Sequence, residues 1–182
     1  MIPRAELIGN RVVLRPNAVE FSPHLHAAAM ESLATIGRWM PWCHPDRTEA
    51  EGVAWYRTCE EHWRDEVAYE FTAFTASGEF LGAGGLNQFN RVHNFANLGY
   101  WVRESRQGHG IASEVASLIA DFGFRTLRLA RIEIVVGEEN HPSRRVAEKI
   151  GATFEGIARQ RILMRESSID AAMYSLVPSV RC

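Results

Sequence analysis

The apolar positions of this chain change their period several times, and each change marks an element. Arg11-Val12-Val13-Leu14-Arg15-Pro16 predicts a first strand, ended by a proline that cannot donate to a ladder. Asn17 to Leu33 predicts a helix, favoured by Ala27 to Met30. Trp39-Met40-Pro41-Trp42 and His44-Pro45 read as a loop, because proline removes a donor and turns the residue before it away from helix. Thr48 to Arg64 predicts a second helix, with Thr48 as N-cap, Glu49 and Glu51 in its first turn, and Val53, Tyr56 and Trp63 on its inner face. Glu70 to Ala76, the turn Ser77-Gly78, and Glu79 to Leu86 read as a hairpin. A strand from Ala96 to Arg103 follows the polar connection Asn90 to Asn94.

Ile111, Val115, Leu118, Ile119 and Phe122 then fall on one stripe of an amphipathic helix. Arg131 to Val136 predicts a strand, Gly137 to Ser143 a polar connection, and Ser143 to Ile150 a short helix, with Gly151 where a helix end favours positive φ. Phe154 to Met164, the turn Glu166-Ser167-Ser168, and Ile169 to Val177 read as a closing hairpin. Hairpins are antiparallel, whereas the strands flanking the Ile111 helix can run parallel through a crossover. The expected fold is α/β (mixed α+β), one domain over residues 1–182. It has a single mixed, mostly antiparallel twisted sheet of about seven strands with helices on both faces, and it is not doubly wound.

Composition narrows the class without naming a chemistry. At 182 residues, 46% apolar and 23% charged, the chain suits one globular domain with a real core. A net charge of −2 offers no basic field for nucleic acid or a membrane surface. Cys43, Cys59 and Cys182 are odd in number and widely spaced, forming neither a CxxC pair nor a disulfide framework. Met1 to Glu20 holds no apolar run of signal-peptide length, so a cytoplasmic protein is expected. No metal site stands out, since His24 and His26, at i and i+2, do not share a helix face.

Candidate chemistry centres on the strand Leu98 to Val102, the polar loop after it, and the glycines Gly108 and Gly110 before the Ile111 helix. Strand, glycine loop and helix collect free N–H groups at a helix N-terminus and suit a phosphate. A Walker-type loop needs GK[ST], but here Gly110 is followed by Ile111-Ala112. A dinucleotide fold needs GxGxxG, and Gly108-His109-Gly110-Ile111-Ala112-Ser113 lacks the third glycine. Gln107-x-x-Gly110-x-Ala112 remains. It resembles the acyl-CoA-binding loop of the GCN5-related N-acetyltransferase (GNAT) family, whose pattern is [QR]-x-x-G-x-[GA]. Asn140-x-x-Ser143-x-x-Val146-x-x-Lys149-x-Gly151 resembles the family's second signature. The resemblance runs from the first strand to the closing hairpin. Gly99-Tyr100-Trp101, Trp39-x-Pro41-Trp42 and Phe154-Glu155-Gly156 are similar, more narrowly, to the Rim type, which acetylates the N-terminal amino group of ribosomal proteins and has relatives acting on small amines.

The resemblance implies acetyl-CoA as cosubstrate, no metal, and direct transfer to a primary amine without a covalent intermediate. Backbone N–H groups of Gln107, Gly108, His109, Gly110, Ile111 and Ala112 would hold the pyrophosphate. Main chain at Tyr100, Trp101 and Val102 would pair with the pantetheine arm and polarise the thioester carbonyl. Such an oxyanion donor is typically worth about 3 kcal/mol. Asn140 would bond the pantetheine, and Ser143 would aim its hydroxyl at the departing sulfur. Read from the residues alone, Asn140 serves equally as an N-cap and Ser143 as a first-turn residue. Arg103 and Arg106, or Arg144 and Arg145, are candidates for the 3′-phosphate, and Trp39, Trp42 and Asn97 for the acceptor side.

The chain departs from the family at the acid and the base. Relatives carry a tyrosine further along the Ser143 helix, and this helix has none. They carry a glutamate two residues before the Gly-Tyr-Trp glycine and an acidic residue after the Phe-Glu-Gly; here Asn97 and Ile162 stand there. A lysine amine with pKa about 10.4 costs roughly 4 kcal/mol to neutralise near pH 7.4, whereas an α-amine at about 7.7–8.0 costs well under 1. A site without a strong base therefore suits a protein N-terminal or small-molecule α-amine. The alternative is a non-catalytic acyl-CoA-binding or sensing module of the same fold. Expected partners are acetyl-CoA and the amine acceptor, with a homodimer allowed and neither nucleic acid nor membrane.

Overall fold

The computed structural model describes residues 6–165 and 167–178; Glu166 of the expected closing turn and Cys182 lie outside them. The strands are β1 (Leu7–Ile8), β2 (Val13–Pro16), β3 (Tyr69–Phe74), β4 (Phe80–Asn90), β5 (Phe95–Val102), β6 (Arg131–Gly137), β7 (Thr153–Met164) and β8 (Ser167–Leu176). The helices are α1 (Ser22–Glu31), α2 (Glu49–Arg64), α3 (Ile111–Arg125) and α4 (His141–Lys149). All the strands join one sheet in the order β1-β2-β3-β4-β5-β6-β8-β7. Among the described residues, only β5 and β6 pair in parallel, through the α3 crossover. The strand beyond the expected seven is β1, whose two residues are too short to show a period. The first helix starts later than its sequence suggested. Val19–Phe21 forms a 3-10 turn, and α1 opens with Pro23 in its first turn, where a missing N–H costs nothing.

Strand alternation sorts the core into two layers. Leu86, Leu98, Ile132, Ile134 and Tyr174 pack with Val115, Ile119 and Phe122 of α3 on one face. Phe74, Phe80 and Trp101 pack with Leu25 and Ala28 of α1 and Tyr56 of α2 on the other. The helix between the tryptophan loop and β3 is pinned by a capping box: Glu51 N–H donates to Thr48 Oγ1 at 3.3 Å, and Thr48 N–H donates to the Glu51 carboxylate at 2.6 Å. Among the described residues, no helix is long and apolar enough to cross a membrane.

One departure from a continuous sheet positions the site. β5 and β6 pair only at Phe95–Asn97 against Arg131–Glu133. Beyond that, β5 stays bound to β4 as far as Val102, and β6 to β8 as far as Gly137. Each strand follows its outer neighbour, and the sheet opens into a slot between them.

Candidate functional site

The slot holds a cavity of about 100 Å³. Leu98, Gly99 and Tyr100 form one lip and Ile134 to Gly137 the other. Asn140 and Ser143 from the start of α4 line it, as do Trp39, Met40, Ile162 and Ile169. Where the ladder stops, main-chain N–H and C=O groups on the facing lips lose their strand partners, and an extended ligand arm can restore them. The main chain proposed at Tyr100, Trp101 and Val102 lies along this open stretch of β5.

At the head of the slot the chain turns into α3. Gly110 is the N-cap, in the left-handed region at φ 76°, and no side chain caps the helix. Gly108 also has positive φ, at 79°. Among the described residues, the first-turn N–H groups of α3 thus have neither an intrahelical nor a side-chain partner, at the positive end of the helix dipole. Gln107 shapes this loop with its side chain, donating from Nε2 to the Val102 carbonyl at 2.9 Å and to Thr35 Oγ1 at 3.3 Å. His109 contributes its carbonyl, which accepts from Arg11 Nη1 at 2.6 Å, while Arg11 Nε donates to Glu114 at 3.1 Å. Ile111 is buried against the core, and Ala112 packs beside it.

Three of the four candidate phosphate arginines are tied to other groups. Arg103 pairs with Glu31, whose carboxyl it holds down to about 2 from the usual 4.5, aided by the Ser105 N–H at 2.8 Å. Arg106 Nε donates to Glu79 at 2.8 Å. Arg144 donates to the Tyr174 hydroxyl and the Glu138 carbonyl, both at 3.1 Å. Arg145 is exposed.

The cavity wall brings two hydroxyls together. Ser143 Oγ donates to the Tyr100 hydroxyl at 3.2 Å, and that hydroxyl donates to the Ser143 carbonyl at 3.1 Å. Burial pushes the Tyr100 phenol up to about 12, so it stays protonated. Asn140 caps α4, its Oδ1 accepting the Ser143 N–H at 3.2 Å, and still lines the cavity. Sequence reasoning assigned only main chain to Tyr100 and sought a tyrosine on α4. The alternation Leu98, Tyr100, Val102 on β5 held the missed signal, since it directs all three to the face that α3 and α4 cover.

On the acceptor side, the structure separates the sequence candidates. Trp39 lines the cavity and lies against Gly137, where a Cβ would meet the indole at 3.1 Å. Trp42 packs edge-on to Trp101 at 5.1 Å, with the Arg47 guanidinium over its ring. Asn97 does not line the cavity. Its Nδ2 donates to Asn87 Oδ1 at 3.1 Å, and Asn87 Nδ2 donates to Glu70 at 3.1 Å. The Glu70 carboxyl is packed over Gly85, and desolvation raises its pKa. In place of the carboxylate that the family resemblance leads one to expect, this chain has an amide linked to a carboxylate two strands away. Ile162 lines the cavity, and no carboxylate among the described residues does. Cys43 and Cys59 are buried and free, and no described cluster suits a metal.

Residues 11–153 match a family model described as the acetyltransferase (GNAT) domain. "Putative ribosomal N-acetyltransferase YdaF" of Bacillus subtilis is 31% identical over 93% of each chain. "Uncharacterized N-acetyltransferase YoaA" of the same organism is 34% identical over 54% of this chain and 56% of its own, so the match spans little more than half the length of that curated relative. The solved structure of "a putative ribosomal-protein-serine acetyltransferase from Vibrio cholerae" superposes with a TM-score of 0.84 at 26% identity, covering 98% of this chain and 100% of that one.

Proposed function

The chain belongs to the GNAT acetyltransferase family, and from that premise we propose that it transfers acetyl from acetyl-CoA directly to a primary amine, above all an N-terminal or small-molecule α-amine. The observation that carries this reading is one cavity joining an open β5 edge to the Ser143 hydroxyl. The pyrophosphate sits on the uncapped start of α3, and the pantetheine arm adds to the slot as a strand. An N–H of Tyr100 to Val102 polarises the thioester carbonyl. Ser143 donates to the sulfur as the carbon–sulfur bond breaks.

The acceptor preference follows from the walls. Trp39, Met40, Ile162 and Ile169 are apolar, and no described carboxylate lines the cavity to hold the second cation of a polyamine or to deprotonate a lysine. The same lack favours the second reading, a CoA-binding module without turnover. A thiol-release assay separates them, using peptides with free N-terminal serine or alanine, N-blocked lysine peptides, spermidine and small amines. Turnover on N-terminal amines more than about tenfold above lysine at pH 7.4 is expected. Ser143→Ala should lower kcat by about a hundredfold. CoA binding without turnover on any amine would establish the module instead.

A further inference from the structure

Most ionisable side chains on the described elements around the cavity are engaged elsewhere, and Arg145 and Lys149 of α4 are exposed. On β3, Glu70 is bound by Asn87. On β6, Arg131 pairs with Glu133 at 3.1 Å and also with Glu155 of β7. Tyr174 of β8 sits between Arg144 at 3.1 Å and Glu148 at 2.9 Å. His141 of α4 is exposed and lies 3.7 Å from Glu139. None of these lines the cavity, whose polar side chains among the described residues are Tyr100, Asn140 and Ser143. Asn140 does not titrate. The Tyr100 phenol is held near 12 by burial, so giving its proton to a thiolate of ordinary pKa about 8.5 is uphill more than a thousandfold.

Resting on the acetyl-transfer reading, we propose that the acceptor amine supplies the proton that the sulfur takes, carried by the Ser143 hydroxyl, with Tyr100 as the positioning residue that fixes that hydroxyl. The neutral amine's lone pair adds to the thioester carbon, and the carbonyl π pair moves onto oxygen. The carbonyl then re-forms, and the carbon–sulfur pair leaves on sulfur. With the thioester bound, the Ser143 O–H turns from the Tyr100 oxygen to the sulfur and the Tyr100 O–H turns from the Ser143 carbonyl to Oγ; the proton on the ammonium nitrogen then passes to Ser143 Oγ while the Oγ–H proton passes to sulfur. The products are the amide and the CoA thiol, and no side chain gains or loses a proton. Tyr100 reaches from β5 to α4 and holds Ser143 at two points, Oγ at 3.2 Å and the carbonyl at 3.1 Å. Both contacts cross the opening between β5 and the segment that follows β6.

The mechanism makes the acceptor's own ionisation the only one that governs kcat/KM. The test uses the full chain, acetyl-CoA, and a series of similarly shaped small amines whose pKa values span about three units. The expected pH profile has a single rising limb whose midpoint moves unit for unit with the acceptor's pKa. A midpoint fixed across the series, or a bell with a fixed acid limb, reveals a titrating side chain and overturns the relay while leaving acetyl transfer intact. CoA binding with no turnover on any amine overturns the transfer reading, and the relay with it. Tyr100→Phe keeps the ring; it should lower kcat about tenfold, leave KM for acetyl-CoA within twofold and leave the profile's midpoint in place. An unchanged kcat removes Tyr100 from the proposal. The wild-type amine series decides the relay even if that variant folds poorly.

Discussion

Glu31 stands at the end of α1, far in sequence from the glycine loop before α3, and nevertheless organises the approach to it. Its carboxylate takes Arg103 and the Ser105 N–H, fixing the stretch between β5 and the glycines. Arg103 lowers the carboxyl to about 2 from 4.5. A depressed carboxyl stabilises the fold fully above the unfolded value and loses that contribution as pH falls from about 4.5 toward 2. The side chain is 28% exposed, so screening limits the pair to about 1–2 kcal/mol. Glu31→Gln should therefore melt about 3–6 °C below the parent at pH 7, and the gap should shrink as pH falls from about 4.5 and close only near pH 2. A melting difference undiminished at pH 3 would mean the loss is one of packing.

At the scale of elements, the start of α3 makes the next demand. Gly110 holds φ 76°, and Arg11 Nη2 stands 3.1 Å from where a Cβ would lie. Gly110→Ala adds left-handed strain of about 1–2 kcal/mol and crowds the Arg11 strap. Calorimetry should show acetyl-CoA bound about tenfold more weakly, with kcat within threefold. Gly108, at φ 79° with nothing near its Cβ position, should give a smaller loss as alanine, from strain alone. This loop was legible in the sequence because its glycines, its amphipathic helix and its preceding strand are all local patterns. The slot was not, because Leu98, Tyr100 and Val102 alternate identically whether or not β6 stays paired beside them. The Tyr100–Ser143 contact joins residues 43 apart, and the Asn97–Asn87–Glu70 chain crosses three strands, so no local period encodes either. The 3-10 turn before α1 was hidden because Val19–Phe21 shares the helix's composition.

For the molecule as a whole, the sheet is complete on both flanks and open at its centre, between strands that belong to different antiparallel sets: β1 to β5 on one side, β6 to β8 on the other. Three parallel pairs at the apex and α3, which packs on β4 and β5 and also on β6, hold the halves together. A cosubstrate that enters as a strand therefore completes the sheet's hydrogen bonding as well as delivering acetyl. Acetyl-CoA at about a hundred times its Kd adds about 2.7 kcal/mol. For a domain of this size that corresponds to a rise in Tm of about 5–10 °C. Hydrogen exchange locates the source: protection should appear at residues 98–102 and 134–137 as well as at the first turn of α3, while β3, already paired on both sides, changes little. If protection appears at α3 alone while Tm still rises, the phosphates bind but the arm does not add as a strand, and the oxyanion role assigned to the β5 main chain fails with it.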